Sequence, residues 1–228
     1  MPTRRDFLKT SAVASVGAGP LFAAYEGSRS AASSPQRPVV VSTWPHGMPA
    51  NEAAWEVLRD EGSALDAVEA GVRVTEADPE TRTVGRGGYP DRTGVVTLDA
   101  CVMDERGRCG SGGALRELLH PTSVARKVME ETPHVMLVGD GARDFALEQG
   151  FEETDLLTDQ SRQDWEEWRA SQEPSERPEP NIESEIDREN HDTIGMLALD
   201  EDGRLSGACT TSGTQWKMHG RVGDSPLI

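Results

Sequence analysis

Large rings are scarce in this chain: Phe, Trp and Tyr together make up only 5% of the residues. A hydrophobic core must therefore be assembled mostly from Val, Leu, Ala and Met. Positive charge is scarce as well. Against 40 Asp and Glu stand 23 Lys and Arg, a formal net charge of -17. A surface of that sign repels phosphate, which excludes nucleic acid and anionic membranes as default partners. Two explanations of the acidity stand side by side: general solubility, and a saline medium in which a carboxylate-rich surface stays hydrated. No run approaches the roughly 18 apolar residues that a permanent membrane anchor needs. Cysteine is limited to Cys101, Cys109 and Cys209, an odd number without metal-ligand spacing. Cys101 and Cys109 flank a turn-like Asp104-Glu105-Arg106-Gly107, so a cross-hairpin disulfide is compatible with the spacing. Three small, half-buried thiols are the preferred reading. His46, His120, His134, His191 and His219 show no ligand spacing either, so neither a metal nor another cofactor is expected.

What is present begins with an address. Thr3-Arg4-Arg5-Asp6-Phe7-Leu8-Lys9 leads into a weakly apolar run, rich in Ala and Gly, that ends at Phe22-Ala23-Ala24. This resembles the twin-arginine export signal, so residues 1–24 are excluded from the fold as a signal peptide. Residues 25–37, rich in Ser, Ala, Arg and Pro, read as a flexible spacer. The resemblance implies an exported chain, periplasmic or extracellular, that folds before export and carries no membrane anchor.

The rest is long enough for one large domain or two small ones. Val39-Val40-Val41 reads as a buried strand, and Asn51 to Leu58 and Ala64 to Val74 repeat apolar residues at helical spacing. Ser63 is placed to cap the second helix, with Asp66 as its capping-box partner. Gly85-Arg86-Gly87-Gly88-Tyr89-Pro90-Asp91 is read as a loop of turn glycines, since no Lys-Ser/Thr element or helix follows to make it a phosphate cradle. Gly94 to Met103 alternates as a strand and Arg106 to Gly113 turns back. Ser123 to Glu131 is helical, Val135 to Val138 extended, and Gly141 to Gln149 helical again, ended by Gly150. Residues 38–158 form one body on this reading. From Asp159 to Asp192 acidic residues, Ser, Gln and Pro dominate, and this stretch reads as a mobile acidic linker, with Trp165 and Trp168 pinning a short helix at its start. Thr193 to Leu199 is then a strand, Asp200-Glu201-Asp202-Gly203 a turn, and Leu205 to Thr211 its hairpin partner.

At the junction of linker and strand stands His191-Asp192-Thr193-Ile194-Gly195-Met196. It is followed in order by Gly207-Ala208-Cys209-Thr210-Thr211-Ser212-Gly213 and by His219-Gly220-Arg221-Val222-Gly223-Asp224-Ser225-Pro226. Upstream lie Ser42-Thr43-Trp44, Leu98-Asp99-Ala100-Cys101, Ser123-Val124-Ala125-Arg126 and Thr132-Pro133-His134-Val135-Met136. These segments together resemble the glycosylasparaginases, N-terminal nucleophile hydrolases, from about Pro38 onward. The resemblance implies an α+β fold, the four-layer αββα sandwich of that superfamily. It also implies cleavage of the chain before Thr193, so that residues 193–228 begin the β-chain. In the family the point reached at Ile228 is followed by more than half of that β-chain, so the sandwich is expected to be incomplete.

The chemistry explains the residue types. A threonine hydroxyl is a weak nucleophile and needs an adjacent base. Cleavage of the Asp192-Thr193 bond frees an α-amino group whose reference pKa of about 7.7 to 8.0 suits that task. By the resemblance, Asp192 and His191 assist self-cleavage and Thr193 attacks the side-chain amide of an asparagine derivative. Thr211 tunes its hydroxyl, Arg221 and Asp224 hold the substrate's α-carboxylate and α-amino groups, and Trp44 borders the pocket. An opposite-charge pair would recognise a zwitterion and reject an asparagine inside a polypeptide. The implied partner is a small molecule, glycosylated asparagine or asparagine, and the implied assembly a homodimer of cleaved two-chain units. Two other readings remain open: a related asparaginase or isoaspartyl dipeptidase, and a non-catalytic exported protein that binds small amino acids.

Overall fold

A computed structural model describes residues 37–172 and 193–227. The expected signal peptide (residues 1–24), most of the expected spacer, the stretch read as linker beyond Gln172, and both His191 and Asp192 lie outside the described residues.

The β-branched run at Val39–Ser42 forms β1, not buried as expected but at the sheet edge, with Val39 and Val41 exposed because β1 pairs on one side only. Two helices follow, α1 at Gly47–Arg59 and α2 at Ala64–Ala77. Ser63 caps α2 as expected. Its Oγ accepts from the Asp66 amide at 3.1 Å and donates to the Asp66 carboxylate at 2.7 Å. Strands β2 (Leu98–Met103) and β3 (Cys109–Leu115) form a hairpin, followed by α3 at Pro121–Glu131. A short strand β4 (Met136–Val138) leads into α4 at Gly139–Glu148. Helix α5 spans Asp159–Ser171, and the hairpin β5 (Ile194–Leu199) and β6 (Leu205–Thr211) completes the sequence.

Two differences from the sequence reading have local causes. Asp91 accepts from the Thr93 amide at 2.8 Å and the Val95 amide at 3.2 Å, so the chain curls there and β2 starts at Leu98 rather than Gly94. The start of the supposed mobile linker is helix α5, longer than the short helix expected. Thr158 caps it, Ser161 Oγ donates to Gly87 O at 2.6 Å, and Arg82 pairs with Asp164 at 2.7 Å.

The six strands form one sheet in the order β1-β5-β6-β2-β3-β4. All neighbours are antiparallel except β3 and β4. Side chains alternate between its faces. Ile194, Met196 and Ala198 of β5 point to the helical face, where they join Val68 and Val72 of α2 and Ala50 and Ala54 of α1 in one core. Gly71 is the contact point of α2. A β-carbon there would stand 2.5 Å from Met196 Sδ and 2.7 Å from Ala50 O. Arg126 of α3 ties that helix to α2 through Glu69 at 2.6 Å and Asp66 at 2.7 Å. A second core gathers Leu98, Leu115, Leu118 and Val124 with Ala142 and Ala146 of α4.

The fold is thus mixed α+β, a six-stranded sheet with helices packed on it, in keeping with the N-terminal nucleophile sandwich. On the opposite face Val39, Val41, Leu197, Leu205, Met103 and Val138 are exposed, and no second sheet is formed by the described residues. The three cysteines share that face and none of them is in a disulfide. Cys101 stands opposite Cys209 on β6 and Ser111 on β3, while Cys109 pairs with Met103, so the hairpin register sets Cys101 and Cys109 diagonally. Burial, reinforced by the facing Cys209, pushes the Cys101 thiol up to about 12.

Candidate active site

The sheet's outer face becomes polar at one end. Continuing the Ile194–Thr210 pairing by one step sets Thr193 opposite Thr211, and Thr211 in turn pairs with Asp99 of β2. Directly opposed residues on antiparallel strands share a face. Thr193, Thr211 and Asp99 therefore form a row across three strands, and the segment from Ser212 to Leu227 folds over it.

Thr193 is held from two sides. Thr43 continues β1, its amide donating to Gly195 O at 3.0 Å. Its hydroxyl accepts from the Gly195 amide at 3.0 Å and donates to the Thr193 carbonyl at 3.4 Å. The Thr193 hydroxyl lies 3.4 Å from Ser225 Oγ. Thr211 is buried. Its Oγ accepts from the Gly213 amide at 2.8 Å and donates to Thr83 O at 3.4 Å, which fixes the end of β6 against the loop before Gly85. Trp44, beside Thr43, takes a left-handed φ of 62° and is half-exposed. Such a backbone is costly for a bulky residue and turns the chain off the sheet at this point.

The covering segment brings cations to the same place. A β-carbon on Gly213 would stand 3.0 Å from both Arg221 Nη1 and Lys217 Nζ. Lys217 is buried, its ammonium donating to Thr97 O at 3.1 Å and Ser212 O at 2.8 Å. In a chain of net charge -17, two cations at one spot beside Thr211 make a local focus suited to a carboxylate. Asp224 is exposed, one residue before the Ser225 that meets Thr193. His219 Nδ1 lies 2.8 Å from Asp91. Among the described residues, no cluster of three or more His, Cys, Asp or Glu is arranged to hold a metal ion, and no helix is long and apolar enough to cross a membrane.

The structure thus gathers Thr193, Thr211, Arg221, Asp224 and Trp44 around one end of β5 and β6. Four contributors escaped the sequence reading: Thr43, Asp99, Lys217 and Ser225. Asp99 carried a usable signal, a carboxylate inside an apolar strand. It is fully buried, accepting from the Ala114 amide at 2.7 Å and the Gly223 amide at 3.3 Å.

A family model described as Asparaginase matches residues 27–228. The chain belongs to the asparaginase family. Among its relatives is an N(4)-(Beta-N-acetylglucosaminyl)-L-asparaginase of Elizabethkingia miricola, 54% identical over 227 residues, which are 99% of this chain and 64% of the relative. Proteins of the same description from Rattus norvegicus and Mus musculus are each 42% identical over 83% of this chain, covering 61% and 62% of their own lengths. This asparaginase-family chain therefore spans somewhat less than two thirds of the length of the relatives it matches. The resemblance carried by the motifs around Thr193, Thr211 and Arg221 holds at the level of the family.

Proposed function

We propose that the chain is the precursor of an exported, self-cleaving amidohydrolase that uses Thr193 as its nucleophile. Its substrate class is the side-chain amide of N4-(β-N-acetylglucosaminyl)-L-asparagine or of asparagine itself, and one product is aspartate. The observation that carries the reading is the placement of Thr193. It directly precedes strand β5, its carbonyl and hydroxyl are met by Thr43 and Ser225, and it faces Thr211, in a family of asparaginases.

In maturation the Thr193 hydroxyl attacks the Asp192 carbonyl carbon. The peptide C–N bond breaks, the nitrogen takes up the hydroxyl's proton, and water hydrolyses the resulting ester to an Asp192 carboxylate and a free Thr193 amino terminus. Asp192 and His191, adjacent in sequence, assist that step. In turnover the α-amino group accepts the hydroxyl proton as Thr193 attacks the substrate amide and passes it to the amide nitrogen, so that the C–N bond breaks and the amine leaves. Water, deprotonated by the same group, then releases aspartate from the aspartyl ester and restores the Thr193 hydroxyl. Arg221 takes the substrate's α-carboxylate, which the cation focus at Gly213 favours, and Asp224 its α-amino group. Trp44 borders the pocket. Export rests on the twin-arginine motif at Arg4-Arg5, and assembly into a homodimer of two-chain units on the family alone.

Intact mass and N-terminal sequencing of the purified chain, incubated near neutral pH, test the reading. A fragment beginning Thr193-Ile194-Gly195 is expected, together with release of aspartate from N4-(β-N-acetylglucosaminyl)-L-asparagine. Thr193→Ala should abolish both, and normal cleavage in that variant would refute the mechanism.

A further inference from the structure

The nucleophile reading of Thr193 assigns no task to Ser225, yet the side chain of this serine meets the Thr193 hydroxyl, at 3.4 Å. Its position is built rather than incidental. Ser225 is buried, at 6% exposure. Two residues before it, the Gly223 amide donates to Asp99 of β2 at 3.3 Å. One residue after it, the Pro226 carbonyl accepts from Ser111 of β3 at 2.5 Å, and both Asp99 and Ser111 are fully buried. The Leu227 amide closes the turn onto Asp224 O at 2.8 Å. Strands β2 and β3 therefore anchor the loop on either side of Ser225 and hold its hydroxyl against Thr193 at the start of β5. A hydroxyl taken out of water in this way needs a hydrogen-bonding partner.

We propose that Ser225 is a positioning residue for the nucleophile, holding the Thr193 hydroxyl in one rotamer and supporting it as negative charge develops on Oγ1. The proposal rests on the assignment of Thr193 as nucleophile. A free threonine side chain samples staggered rotamers, only some of which aim Oγ1 at a substrate. Thr43 fixes the Thr193 backbone through its carbonyl, and Ser225 fixes the side chain. The bond also gains strength when it matters. As the Thr193 hydroxyl gives up its proton during attack, Oγ1 becomes a better acceptor, and the Ser225 O–H donates to it. The same donation serves when water cleaves the aspartyl ester and Oγ1 is the leaving oxygen. Ser225 keeps its own proton throughout, so it needs neither a base of its own nor a shifted pKa.

The test compares Ser225→Ala and Ser225→Thr with the wild type, all checked for an unchanged melting profile. Loss of one supporting hydrogen bond should slow self-cleavage about tenfold in Ser225→Ala, the rate equivalent of about 1.4 kcal/mol. In the cleaved enzyme kcat should fall by a similar factor with KM unchanged, because Ser225 acts on the nucleophile and not on the substrate. Ser225→Thr keeps the hydroxyl and should recover most of both rates. Wild-type rates in Ser225→Ala overturn the role while leaving the nucleophile reading intact. So does a Ser225→Thr protein that is folded but as slow as Ser225→Ala, since the loss would then come from packing. If Ser225→Ala does not fold, a folded Ser225→Thr decides alone, supporting the role if active and overturning it if slow. A wild-type chain that stays whole overturns the nucleophile reading, and this role with it.

Discussion

Asp91 has no exposed surface, and its two oxygens collect four partners. Oδ1 accepts from the Thr93 amide, the Thr93 hydroxyl at 2.6 Å and the Val95 amide, while Oδ2 meets His219 Nδ1 at 2.8 Å. Burial pushes its pKa up, but the bonds from Thr93, His219 and the two amides outweigh burial and hold the carboxyl below its ordinary range. A carboxyl with a depressed folded-state pKa contributes stability that is present above its unfolded value of about 3.9 and is lost as pH falls through the folded one. Asp91→Asn should therefore lose stability at pH 7 and show a shallower decline of unfolding free energy between about pH 5 and pH 2. Urea unfolding at several pH values checks this, and parallel acid limbs in the two proteins would count against it. Residue-scale features divide sharply in how far the sequence discloses them. Thr193, Thr211 and Arg221 are legible because the order of short motifs points to them. Thr43, Lys217 and Ser225 act through contacts 150, 120 and 32 residues away in the chain, and nothing local in their surroundings announces those partners.

The two central hairpins of the sheet use the same turn. In Asp104-Glu105-Arg106-Gly107-Arg108 the first carboxylate accepts from the Arg108 amide at 2.9 Å and from its guanidinium at 2.7 Å. In Asp200-Glu201-Asp202-Gly203-Arg204 the matching bonds are both 2.9 Å. Gly107 and Gly203 take left-handed φ values of 74° and 81° in the same place. The pattern Asp-Glu-x-Gly-Arg is thus a local code for a hairpin, and both turns are legible from sequence for that reason. Strand β3 is less so, because Cys109-Gly110-Ser111-Gly112-Gly113-Ala114-Leu115 carries three glycines and little β-propensity. It is extended because β2 and β4 flank it, and because Gly110 lets α3 come close: a β-carbon there would stand 2.1 Å from Ala125 O. At Gly107 an added β-carbon would meet nothing within 4 Å. Gly107→Ala should therefore cost only the backbone strain, about 1 to 2 kcal/mol, with Gly107→Asn intermediate because asparagine tolerates the left-handed region. Denaturant titration reads both, and an unchanged midpoint in the alanine variant would mean that the turn relaxes.

For the whole molecule the informative quantities are the asymmetry of the sheet and the sign of the surface. Helices α1, α2 and α3 cover one face, while apolar residues of β1, β2, β4, β5 and β6 stand exposed on the other. The strand reading of β5 implied two faces, since along any strand the side chains of Ile194, Met196 and Ala198 point opposite to those of Leu197 and Leu199. It said nothing about what covers the second, because periodicity records which side chains turn away from solvent and not which partner excludes it. Charge is legible without any structure. With 40 acidic against 23 basic side chains, like charges outnumber ion pairs and repel across the compact state more than across an expanded one. Ion pairs such as Arg126 with Glu69 and Arg82 with Asp164 are short and partly buried, where salt screens them least. The repulsion acts over longer distances, and raising salt from 0.01 to 1 M shrinks the screening length from about 30 Å to about 3 Å. The melting temperature should accordingly rise with sodium chloride over that range. A melting temperature that is flat or falls would mean that local ion pairs outweigh the net charge, and would leave general solubility as the sufficient account of the acidity.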